Sequence, residues 1–82
     1  MRAKMRVSNV VEAKDSEGKV IEERYVFDAV YSPDPETENY TWSKYTPFAH
    51  LEMTVTNSNL FGHFKNGQEI YLDFIPVAQP VA

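Results

Sequence analysis

The sequence predicts a mainly β domain, a small five-stranded barrel of OB-like or SH3-like size carrying one short helix. Three observations predict it. Apolar residues recur with period two in four separate runs, the mark of half-buried strands. Polar clusters bearing Gly or Pro (15–18, 32–39 and 65–68) separate those runs as turns and loops. Only one segment, 58–64, has helical spacing. The chain has 82 residues, 43% of them hydrophobic and 13% aromatic, enough for one core in one domain. Such a domain has a folding stability of about 4–12 kcal/mol. It is expected to span 1–76, with 77–82 as a flexible tail.

The elements follow in order. In residues 2–8, Ala3, Met5 and Val7 fall on one side and Arg2, Lys4, Arg6 and Ser8 on the other. The apolar signal continues through Val10 and Val11, out of phase with Val7, which calls for a bulge. Asp15-Ser16-Glu17-Gly18 reads as a hairpin loop with Gly at positive φ. The strand over 19–31 places Ile21, Tyr25, Phe27, Ala29 and Tyr31 on one face, interrupted only by Glu23. Val26 and Val30 make its other face partly apolar, as in a strand with neighbours on both sides. Two prolines in 32–39 exclude a ladder there. The segment 40–45 reads as a short edge strand or an ordered aromatic loop, ended by Thr46-Pro47. The strand over 48–56 directs Leu51, Met53 and Val55 one way and His50, Glu52, Thr54 and Thr56 the other. Leu60, Phe61 and Phe64 then suit one or two helical turns over 58–64, with an extended course as the rival. The final strand, 69–75, points Ile70, Leu72 and Phe74 inward and stops at Pro76.

Several function classes lose their chemistry at this level. With no cysteine there can be no disulfide, thiolate catalysis or iron–sulfur cluster. No run approaches the length of a membrane span and no apolar leader follows the charged N-terminus, so a cytoplasmic protein is expected. The sequon at Asn39-Tyr40-Thr41 therefore carries no weight. Twelve acidic against eight basic side chains give a net charge of −4, the reverse of a duplex-DNA binder.

Asp34, Glu36 and Glu38 begin a calcium-loop spacing, but Asn39 and Tyr45 stand where Gly and Glu are needed and Pro35 interrupts the ligands. A solvated acidic loop is the better reading. His50 and His63 lie in no metal-ligand pattern, and His50 sits on the polar side of its strand. Glu22 and Glu23 point to opposite faces and cannot work as one acid–base pair. No glycine-rich phosphate loop occurs. No catalytic residue, metal or cofactor is expected, and the chain reads as a non-enzyme.

One surface has the residues of a binding site. Tyr40, Trp42, Lys44, Tyr45 and Phe48 cluster after the acidic loop, and Arg2, Lys4 and Arg6 form a cationic stripe. Aromatics half-buried at the rim of the core are the simplest explanation. A protein interface is the next, since Tyr and Trp are enriched there. Single-stranded nucleic acid, stacked on aromatics beside cations, is the third, and the acidic net charge places it behind protein. The expected partner is thus a protein, or a second copy using 40–48 and an exposed strand edge.

Part of the pattern resembles small uncharacterised proteins of tailed bacteriophages and prophages. The resemblance lies in Thr46-Pro47, in Leu51 through Asn57, and in Phe64-Lys65-Asn66-Gly67-Gln68-Glu69-Ile70-Tyr71-Leu72-Asp73-Phe74 with Pro76. It also covers Lys4-Met5-Arg6-Val7 and Ala29-Val30-Tyr31. It implies a phage-encoded accessory or structural module, in the host cytoplasm or the virion, and brings no catalytic residues with it.

Overall fold

A computed structural model describes residues 1–31, 38–43 and 47–78. Its strands are β1 (Arg2–Lys14), β2 (Val20–Ala29), β3 (His50–Val55) and β4 (Glu69–Asp73). They form one antiparallel sheet in the order β3-β2-β1-β4. The fold is mainly β, as composition and periodicity predict. Among the described residues, however, the strands number four and the sheet is open, in place of the five-stranded barrel expected.

Local chemistry accounts for the courses of 38–41 and 58–64. Of the two readings for 40–45, the start follows the ordered loop and not the edge strand: Glu38–Thr41 form a 3-10 turn, because Asn39 is pinned to the sheet as described below. Lys44 and Tyr45 lie outside the described residues. At 58–64 only Ser58–Leu60 is helical, a 3-10 turn capped by the Asn57 side chain. Gly62 at φ 79° then turns the chain out of the helix before Phe64.

The hairpin between β1 and β2 turns at Asp15. Its carboxylate accepts from the N–H groups of Glu17 and Lys19, and Gly18 adopts φ 83°. The ladder pairs Met5 with Ala29 and Val7 with Phe27, slips between Val7 and Asn9, and resumes with Val10 opposite Tyr25. That bulge keeps Val7 and Val10 on one face although they are three residues apart. The strand with two partly apolar faces, β2, is an inner strand, with Phe27 opposite Leu51 and Tyr25 opposite Met53 on β3. On the other side, Ala3 and Met5 of β1 face Leu72 and Ile70 of β4.

Ala3, Met5, Val7, Tyr25 and Phe27 are the buried core. The connection from β3 to β4 joins opposite edges of the sheet and crosses this apolar face. Its Phe64 ring stands edge-on to Tyr25 at 5.3 Å and to Phe27 at 5.4 Å. The covering layer is therefore partial. Leu51, Ile70, Leu72, Trp42 and Ala49 are only half-buried around the core, and Met53 is exposed.

Candidate functional site

The site is built from the chain that returns after the acidic loop, and Asn39 positions it. This side chain is 3% exposed. Its oxygen accepts from the Lys4 N–H at 2.6 Å and from the Trp42 indole Nε1 at 3.2 Å. Its nitrogen donates to the Lys4 carbonyl at 2.7 Å and the Val30 carbonyl at 2.6 Å. The amide thus spans the point where β2 leaves β1, using both donors and two acceptor positions. The Asn39 carbonyl also accepts from the N–H groups of Trp42 and Ser43. Trp42 is held against the core by these bonds.

Beside Trp42 lies an apolar groove of about 320 Å³. It is lined by the buried Ala3 and Met5, the half-buried Trp42, Ala49, Leu51 and Leu72, and the exposed Met1, Phe48 and Phe74, with His50 alongside. Phe48 is 88% exposed and Phe74 50%. An aromatic ring left in water at the mouth of an apolar groove is unusual where it is not used, because burying it is worth about 1.5–3 kcal/mol.

The structure separates the expected site residues. Trp42 and Phe48 meet at the groove. Tyr40 is half-buried on the 3-10 turn and does not line it. Arg2, Lys4 and Arg6 alternate onto the other face of the sheet, where β4 neutralises them. Arg2 bonds Asp73 through Nε at 2.7 Å and Nη2 at 3.2 Å and lies 5.0 Å from the Tyr71 ring centroid. Arg6 reaches Glu69 at 2.8 Å and Lys4 approaches it at 3.5 Å. Arg24 with Glu52 at 3.4 Å and His50 with Asp28 at 3.0 Å extend the same charged face. His50 is thus hydrogen-bonded on the polar side of its strand. The cationic stripe and Trp42 form no common surface.

These pairs have a pH signature. Asp73 is held below the ordinary carboxylate range by the Arg2 guanidinium, and Glu69 by Arg6. Asp28 is lowered first by its bond to His50 and then by Ser8. A carboxyl depressed in the folded state stabilises the fold above its unfolded value and ceases to do so as pH falls through the folded value. The melting temperature is therefore expected to hold down to about pH 5 and fall below about pH 4, in circular-dichroism melts. Added salt shrinks the change, since exposed pairs are screened.

One buried pair was not legible as a site. Glu23, read as an interruption of an apolar face, is 4% exposed within it. Its Oε1 accepts from the Tyr25 hydroxyl at 2.7 Å and from the Gly62 N–H at 2.6 Å. Burial, then the bond to Glu23, pushes the Tyr25 hydroxyl above its ordinary range. The pair ties the β3–β4 connection to the sheet. A carboxylate in phase with an apolar run, two residues before a Tyr, was the available signal.

Among the described residues no group of three or more His, Asp or Glu is placed to hold a metal ion. Nor is any helix among them long and apolar enough to cross a membrane. The chain matches no family model, no curated protein and no solved structure.

Proposed function

We propose that this chain is a non-enzymatic protein-binding module that takes an apolar segment of its partner into the groove beside Trp42. The observation that carries this reading is Phe48, 88% exposed at the rim of a mainly apolar groove of about 320 Å³. Interfaces are centred on such aromatic anchors, buried only in the complex. The open edges of β3 and β4 offer a second foothold, and one added strand would bring the sheet to the five of a small barrel. The likeness to small phage proteins fits an accessory structural role of this kind.

Selection from a displayed library of random peptides is expected to enrich apolar, aromatic-bearing sequences. Their affinity should drop at least tenfold, about 1.4 kcal/mol, for Phe48→Asp. The circular-dichroism spectrum should not change, because Phe48 packs against little. Enrichment indifferent to Phe48→Asp would refute the reading. The alternative, a single-strand binder, needs stacking beside cations. Oligo-dT at low salt is expected to leave Trp42 fluorescence unquenched, since Arg2, Lys4 and Arg6 are engaged on the opposite face.

A further inference from the structure

We infer that the occupant of this groove is a second copy of the chain, paired face to face across a two-fold axis. The inference rests on the protein-binding reading above and names its partner.

The first argument is the missing layer. A sheet with an apolar face is stable when a second layer covers it. The molecule measures 49 × 42 × 17 Å, and sheets that stack face to face lie about 10 Å apart. Phe64 and its connection cover Tyr25 and Phe27. Among the described residues they leave the end of the sheet at Leu51, Leu72 and Trp42 only half-covered. Two copies facing one another cover that end in both.

The second argument is charge. The ion pairs of Arg2, Lys4, Arg6, Arg24 and His50 all lie on the opposite face of the sheet. On the apolar face the acidic strand positions are Glu12, near the hairpin end, and Glu23, buried and bonded, while His50, paired with Asp28, and the N-terminal Met1 also line the groove. A chain of net charge −4 repels its own copy, and a contact through this face brings few like charges together. A mainly apolar surface selects no strongly charged partner, whereas it can pack against itself, as an isologous contact requires.

The third argument is area. With full aromatic side chains of about 150–250 Å², the exposed parts of Phe48 and Phe74 alone amount to roughly 300 Å². Met1 (66% exposed) and Ile75 (81%) adjoin Phe74 around a neighbouring hollow. Together they come to roughly 550 Å², the upper end of the largest patch a monomer ordinarily leaves in water and a large part of the roughly 800 Å² per partner of a standard interface.

Sedimentation velocity of the full chain between about 5 and 500 µM tests the inference. The expected result is a monomer–dimer equilibrium with no larger species. The double variant Phe48→Asp/Phe74→Asp should weaken the dimer at least about tenfold while keeping the β-sheet circular-dichroism spectrum. Thr54→Asp, exposed on the charged face, should leave the equilibrium unchanged. A monomer throughout the range overturns the inference. So does a dimer insensitive to the double variant, one dissociated by Thr54→Asp, or an open polymer. A monomer that still enriches peptides through Phe48 leaves the protein-binding reading standing and removes only the second copy. A monomer that enriches none removes both.

Discussion

Phe27→Ala is expected to bring the chain close to unfolding at room temperature. Phe27 is 1% exposed, lies between Val7 and Leu51 on the two neighbouring strands, and receives the edge of Phe64. Removing a ring from such a position costs about 3–5 kcal/mol, the lost transfer energy plus the cavity left behind. A domain of this length has about 4–12 kcal/mol in total. Urea denaturation followed through Trp42 fluorescence should show the midpoint falling to about half or less of its wild-type value when the total lies near 6 kcal/mol. Phe48→Ala removes the same ring from a site 88% exposed. In the isolated monomer it should shift stability by less than about 0.5 kcal/mol. Equal losses for the two would contradict the placement of the core.

The second large effect is at Asn39. Asn39→Ala removes four hydrogen bonds and leaves the Lys4 and Val30 backbone groups without that partner. A loss of about 2–4 kcal/mol is expected. Trp42 should also emit at longer wavelength in the folded state, its indole N–H no longer held. Asn39→Asp separates geometry from charge. The carboxylate still accepts from Lys4 N–H and Trp42 Nε1, but its second oxygen faces two carbonyl acceptors. At neutral pH it should be no better than Ala. Its folded-state pKa is raised, so the contribution of the protonated form is present below the unfolded value and lost as pH rises through the folded one. The variant should thus recover part of its stability on mild acidification, down to about pH 4. The wild type should gain nothing over that interval, because Asp28, Glu69 and Asp73 are depressed.

Legibility in the sequence followed the range of the interaction. The bulge between Val7 and Asn9 was readable because Val7 and Val10 fall out of phase within one strand. The positive φ at Gly18 was readable from the four residues around it. The inner position of β2 followed from Val26 and Val30 opposite an apolar face. The groove was readable in part: Trp42 and Phe48 stand six residues apart, while Met1, Leu72 and Phe74 come from the two ends of the chain. The pairing of Arg2 with Asp73, separated by 71 residues, was out of reach, and with it the neutralisation of the cationic stripe.

Period-two alternation over five to seven residues thus determined, from the sequence alone, that this chain is mainly β. It also set which side of each strand is apolar, because a residue's side of a strand depends only on its neighbours in the chain. The order of the strands, the open edges and the partial cover belong to the tertiary structure. So do the promotion of Glu23 and Asn39 from strand interruption and loop residue to anchors of the fold. Each depends on a polar group meeting a partner 35 or 39 residues away, and no local pattern encodes that meeting.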